Sequence, residues 1–406
     1  MKNSVHFRGV LRSLVFGAAV ATAACTFSAC DQETKDAMEP AAITQADSQN
    51  GAIISGQYIV VFKQDGNLRT DASVTYAQRV EAVRKMGDNI LTENGIKAYK
   101  IEHAYGQTVT GMTVKMSATE AAQLRKDMRV SYIEPDRMVI LAKPGSGGTG
   151  TAGQEVPYGI SRVGYASGAG KTAWVIDTGI DLDHPDLNVD VSRSVTMFTS
   201  GRDASSADDG NGHGSHVAGT IAAKNNSTGV IGVAYDATVV AVKVLDSRGS
   251  GAYSGVIAGV DYVAANGKAG DVANMSLGGP VSQALDDAIV AAASKGIKFA
   301  LAAGNESADA NNSSPARVNH ANVYTVSAMD NGDKYAYFSN YGNPPIDYCA
   351  PGVNIKSTWK GGAYNTISGT SMASPHVAGL LLLGNIVTDG YVTNDPDGKA
   401  DPIAHH

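Results

Sequence analysis

Cysteine is nearly absent: there are 3 in 406 residues, and two of them, Cys25 and Cys30, fall close to the N-terminus. Only Cys349 is left in the body of the chain, which excludes an intramolecular disulfide framework. Beside Ala350 and Pro351 it reads as a small buried hydrophobe rather than a nucleophile. Charge is sparse at 17%, and the net charge of -7 comes from interspersed acidic and basic residues, so no polybasic signature for nucleic acid is present. No apolar run beyond the N-terminus is long enough to cross a bilayer. Glycine is abundant, with 46 residues, which fits a tightly wound α/β chain with many short turns. At this length two or more folded units are expected.

Residues 1–30 read as an export signal, with Lys2, Arg8 and Arg12 ahead of an alanine-rich apolar stretch. Phe27-Ser28-Ala29-Cys30 puts Cys30 where a bacterial lipoprotein signal carries its lipid, and residues 31–54 would be a polar tether. Cleavage after Ala24 or Ala29, releasing a soluble protein, is the alternative. Both readings export the chain, to the medium or to the cell envelope. Residues 55–142 then alternate short elements, with strand patterns at 57–63, 96–102, 111–116 and 130–134 and helical ones at 72–86 and 117–128. The last helix opens on a capping box, Ser117 with Glu120. This order predicts a small βαββαβ unit of ferredoxin-like type. Residues 143–153 form a glycine-rich linker of the kind where proteolytic nicking concentrates.

From 154 to 406 the pattern changes to strands at 173–176, 238–245, 271–277, 297–303 and 322–328, separated by helices at 213–223, 254–265 and 282–295. That alternation calls for a mostly parallel sheet covered on both faces. Ligands bind such sheets beyond the carboxyl ends of the strands, where Asp177, Ser276 and Asn305 fall. The stretch Gly369-Thr370-Ser371-Met372-Ala373 places a hydroxyl at the start of a buried helix, whose unpaired N–H groups can hold an anion. Alone, this pattern would be an ordinary helix cap. Two companions change its meaning: an apolar strand ending on Asp177, and a glycine-rich turn carrying His213 into an alanine-rich helix. A serine nucleophile needs a base, and the base needs a carboxylate to fix its tautomer; Ser371, His213 and Asp177 supply the three.

In the order Asp, His, Ser, and over roughly 154–379, these stretches resemble the subtilases, with Ser215 where that family usually has threonine. The resemblance implies a three-layer subtilisin-like α/β fold and a serine endopeptidase of broad protein specificity working through an acyl-enzyme. It makes Asn305 an oxyanion donor beside the Ser371 backbone N–H. It assigns Ser250, Gly251, Ala252, Ser276, Leu277 and Gly278 to the two edges that hold an extended peptide. With Ala303 and Gly304, Gly278 would form a roomy pocket, lacking an evident carboxylate and so suited to apolar or aromatic residues. Gln154, Asp186, Lys224, Asn226, Thr228 and Val230 match a structural calcium site of oxygen ligands. Residues 55–142 resemble the propeptide that serves such enzymes as folding chaperone and intramolecular inhibitor, its end at 138–142 being the product strand. A monomer is expected. The intact set of three argues against a catalytically dead binding protein, His213 against an acid-active Ser-Glu-Asp peptidase, and Ala373 in place of glycine against an esterase elbow. Asp395-Pro396-Asp397-Gly398 with Asp401 reads as a turn, and the tail ending His405-His406 as frayed.

Overall fold

Ile59-Val60-Val61-Phe62 is a continuous apolar run, and the strand carrying it sends alternate residues into two different cores. The structure, a computed structural model, describes residues 49–63, 74–141, 153–384 and 386–406. The export signal with Cys25 and Cys30, most of the tether, and nearly all of the linker lie outside these residues. Strand β1 (Ile53–Phe62), helix α1 (Tyr76–Glu93), β2 (Lys100–Tyr105), β3 (Gly111–Lys115), α2 (Ala118–Leu124) and β4 (Val130–Ile140) build the first domain. Their antiparallel order β4-β1-β3-β2 is the ferredoxin-like arrangement expected. Both helices start at capping boxes, Thr75 with Gln78 and Ser117 with Glu120. Val60 and Phe62 pack with Met112 and Leu124 under those helices. Ile59 and Val61 face the other way, into a core shared with Trp174, Tyr253 and Val256 of the second domain.

Several boundaries differ from the sequence reading, α1 among them, which runs on to Glu93 instead of ending at 86. β1 begins inside the stretch taken as tether, and β4 continues past Pro135 to Ile140. A bulge makes the longer β4 possible: β1 shifts register between Ile53 and Tyr58, opposite the proline that has no N–H to give.

In the second domain β5 (Thr172–Asp177), β6 (Thr238–Lys243), β8 (Val272–Met275), β9 (Lys298–Ala302), β10 (Val323–Met329) and β11 (Ile346–Pro351) form a parallel sheet in the order β11-β10-β9-β8-β5-β6. β7 (Ser250–Ala252) lies apart from it and joins the edge of β4 instead. Alternation along β5 sorts the layers: Ala173 and Val175 pack toward α3 (His213–Ala222) and α6 (Thr370–Leu383), Trp174 and Ile176 toward α4 (Tyr253–Asn266) and α5 (Gln283–Ala293). A hairpin of β12 (Ile355–Trp359) and β13 (Ala363–Ile367) precedes α6.

The tail is not frayed. β14 (Val387–Tyr391) and β15 (Pro402–His405) form a hairpin, and β15 lies parallel to β11 in the sheet. Ile403 and Ala404 are buried, and the Asp401 carboxylate accepts from Ser327 Oγ at 2.6 Å and Asn343 Nδ2 at 3.0 Å. Arg162 ties the same hairpin down through Asp333 and Asp389. Cys349 is fully buried on β11, and burial pushes its thiol well above the ordinary range, so it is inert as a nucleophile.

Candidate active site

Asp177 ends β5 with no solvent exposure, and its carboxylate faces His213 Nδ1 at 2.8 and 3.0 Å. Thr178 N donates to the same carboxylate at 2.7 Å. A carboxylate on Nδ1 holds the proton there and leaves Nε2 as the acceptor. His213 is the first residue of α3, and Gly214 allows the approach: a Cβ on it would stand 2.0 Å from the Gly179 carbonyl oxygen. A second buried carboxylate, missed from sequence, holds this turn. Asp209 accepts Thr178 Oγ1, Asn211 N and Gly212 N on one oxygen, and Ser215 N and Oγ on the other. Its only signal was an acidic residue just ahead of the glycine turn. Burial alone would pull the His213 pKa down; the charge and hydrogen bond of Asp177, with Asp209 behind, carry it above the usual value.

Ser371 lies in the first turn of α6, and a proline inside that helix shapes its surroundings. Pro375 has no N–H to give the Ser371 carbonyl four residues earlier, and Ser276 Oγ takes the free acceptor at 2.8 Å. In return Ser371 Oγ donates to the Ser276 carbonyl at 3.1 Å, and among the described residues it makes no hydrogen bond to His213. Asn274 and Ser374 extend the network behind Ser276.

Asn305 follows β9 with its amide held one way round. Its Oδ1 accepts Thr370 N at 2.8 Å and Thr370 Oγ1 at 3.0 Å, which leaves Nδ2 for another acceptor. Gly304 adopts φ +106, and a Cβ there would meet Asn340 Nδ2 at 2.3 Å, so the turn requires glycine. Ala303 is buried beside it. Glu306, which the sequence reading did not assign, is anchored to Asn340 Nδ2 at 2.7 Å and has an oxygen 2.6 Å from the Cβ position of Gly304.

The two expected peptide-binding edges are placed differently. Ser250, Gly251 and Ala252 form β7, which pairs antiparallel with Ile140, Val139 and Met138, and Leu141 N donates to the Gly249 carbonyl at 2.9 Å. Ser276, Leu277 and Gly278 follow β8, the first two buried. The first domain also interlocks with the helices behind the cleft. Glu134 accepts from Ser282 Oγ and from Gln283 N at the start of α5, and Asp136 accepts Ser254 N at the start of α4. In the opposite sense, Asp261 of α4 accepts Gly106 N, Gln107 N and both the N–H and hydroxyl of Thr108, at 2.7 to 3.0 Å.

Residues 168–385 match the sequence pattern of the Subtilase family. The chain belongs to the subtilase family. Residues 57–142 match the peptidase inhibitor I9 family. Alkaline serine exoprotease A of Vibrio alginolyticus is 40% identical over 342 residues, 81% of this chain and 60% of that protein. Subtilisin NAT of Bacillus subtilis subsp. natto is 40% identical over 339 residues, 80% of this chain and 79% of that protein. The crystal structure of a cold adapted subtilisin-like serine proteinase is similar with a TM-score of 0.53 at 41% identity, over 61% of this chain and 97% of that one. This subtilase is a subtilisin-like serine peptidase that carries an inhibitory propeptide domain.

The six residues expected to bind metal come together in this subtilase. Asp186 is 1% exposed; it accepts Asn226 Nδ2 at 2.6 Å, Val230 N at 3.0 Å and the Tyr364 hydroxyl at 3.2 Å. Gln154 Nε2 faces the carbonyl oxygens of Lys224 at 2.8 Å and Val230 at 3.5 Å, and Thr228 N donates to Asn226 Oδ1. Among the described residues no group of three His, Cys, Asp or Glu side chains is placed for a metal, so a site here would depend on amide and carbonyl oxygens. The Asp395–Asp401 stretch forms a turn, as expected.

Proposed function

We propose that this subtilase is an exported endopeptidase made as a self-processing zymogen, either anchored through lipid on Cys30 or freely secreted. It is divided into a signal at 1–30, a tether at 31–54, an inhibitory propeptide at 55–142, a linker at 143–153 and a monomeric catalytic domain at 154–406. The Ser371 hydroxyl turns from the Ser276 carbonyl toward His213, which takes its proton as the oxygen attacks a peptide carbonyl. Asp177 keeps the imidazole in the right tautomer and stabilises the imidazolium. The tetrahedral oxyanion is held by Asn305 Nδ2 and the Ser371 N–H. His213 then protonates the leaving amine, and water resolves the acyl-enzyme. The pocket at Gly278, Ala303 and Gly304 takes apolar or aromatic residues, and backbone pairing on the two cleft edges makes substrate choice broad.

The observation that supports this reading best is the pairing of 138–140 with β7, an added strand laid along a binding edge in the manner of a cleaved product. Calcium fits the second site: one buried carboxylate, Asp186, with the Lys224 and Val230 carbonyls turned to a single amide, is a donor set for a hard, oxygen-preferring cation. The ion takes no part in the chemistry and stabilises the folded state by mass action. To test the reading, residues 31–406 are expressed with calcium as the native sequence and as Ser371→Ala, and intact mass and casein hydrolysis are followed. The native chain should shed about its first hundred residues and digest casein while the variant stays whole and inert. Two folded, intact and inactive proteins would refute it.

A further inference from the structure

The segment ahead of β1 reaches the cleft. Gly51 N donates to the Met138 carbonyl and Met138 N to the Ala52 carbonyl, each at 2.9 Å, and Arg137 Nη1 donates to the Gly51 carbonyl at 2.8 Å. At Ile140 the partner changes from backbone to side chain. The Ile140 N–H goes to Oδ1 of Asn50 at 3.1 Å, and Nδ2 of the same amide donates to the Gly278 carbonyl at 3.2 Å. Gly51 presses on the same wall, where a Cβ would meet Pro280 Cγ at 2.3 Å. On one edge, then, strand 138–140 pairs directly with β7. On the other edge, among the described residues, it reaches Gly278 through the Asn50 amide.

We propose that Asn50 is a positioning residue of the zymogen: by relaying the Ile140 N–H to the Gly278 carbonyl it seats the strand leading to the processing bond, and after cleavage it keeps that strand in the cleft. The planar amide is suited to this because it accepts at one end and donates at the other. Aspartate retains the acceptor and loses the donor; leucine loses both. Asn50 and Ile140 are joined by sheet hydrogen bonds within one domain, so breaking the chain beyond Leu141 leaves the seat intact. A substrate brings no such amide and must offer its own N–H to Gly278, so Asn50 has to leave before substrate can pair on both edges.

The proposal rests on the reading of 138–142 as the product strand, and its test separates the two. In the full chain carrying Ser371→Ala, hydrogen exchange is measured at the Ile140 amide with and without Asn50→Leu or Asn50→Asp. Exchange should rise about two- to tenfold in Asn50→Leu, the loss expected of one neutral hydrogen bond, and stay near the native level in Asn50→Asp, which keeps the acceptor for Ile140 N, while the β2 and β3 amides keep their protection. With Ser371 present, both variants should process more slowly and pass through a shorter inhibited phase before casein hydrolysis begins. Unchanged Ile140 exchange in Asn50→Leu, or unchanged processing and latency in both variants, would overturn the role of Asn50. A native chain that neither processes nor hydrolyses casein would sink the peptidase reading instead, and the exchange result would still decide whether Asn50 seats the strand.

Discussion

Two sets of carboxylates, all buried except the half-buried Glu134, are satisfied in different ways. Asp177 and Asp209 take all their hydrogen bonds from the catalytic domain itself, from His213, Thr178, Asn211, Gly212 and Ser215. Glu134 and Asp261 take theirs across the boundary, from the start of a catalytic-domain helix and from a propeptide turn, and Asp136 accepts Ser254 N across it beside Gln57 Nε2 and Arg137 N within its own domain. A carboxylate satisfied internally keeps its partners whatever else is bound. One satisfied across a boundary exchanges its partners for water when the halves part. On the proposed reading, the groups around His213 keep their partners when the propeptide leaves, and the interface is the part that is given up.

This contrast can be attacked from both sides. The largest effect is expected from Asp177→Asn, which keeps the shape but reverses the proton preference of His213 Nδ1; turnover of a peptide anilide should fall roughly 10⁴-fold. Should it fall less than tenfold, Asp177 does not orient the base. Asn305→Ala removes a donor and should lower turnover by about 100- to 1000-fold, with the Michaelis constant little changed. A change confined to the Michaelis constant would place Asn305 in substrate binding instead. Asp261→Ala touches only the second set. Net loss of even one of its hydrogen bonds to a charged acceptor, about 1.5–3 kcal/mol, should shorten the inhibited phase at least roughly 10- to 100-fold and leave mature activity intact. An equal loss of mature activity would erase the distinction between the two sets.

The smallest effect is a displacement along the pH axis. His213 must be neutral to act as base, and its carboxylate neighbours raise its pKa. Activity should therefore rise with pH through a midpoint above the ordinary imidazole value of about 6.5. Asp209→Asn removes one of those charges and should move the midpoint down. A midpoint that stays fixed would show that Asp209 acts on the turn alone.

Much of the fold was legible because each layer leaves a local period. The β5 run, the Ser117 capping box and the helix entered at His213 depend on neighbours only a few residues away. The site was legible where chemistry needs a rare residue in a glycine-rich turn, as at His213 and Ser371. What escaped depends on distant partners. β15 holds only four residues and acquires strand character from β11, more than fifty positions earlier in the chain. Asp209 looked like any surface acid until the turn folded around it. Pro375 sits inside α6 because Ser276, far earlier in the chain, supplies the hydrogen bond it withholds, a partner no local pattern shows.

The placement of β15 also bears on the order of synthesis. Asp177, His213 and Ser371 all leave the ribosome before residues 402–405, the strand that covers β11. Until then β11 presents an open sheet edge, and Ser327 has not met Asp401. A nascent chain thus holds all three of these residues before its sheet is closed, and the propeptide domain, made first, is already present to pair with β7. Translation order sets the inhibitor in place ahead of the enzyme.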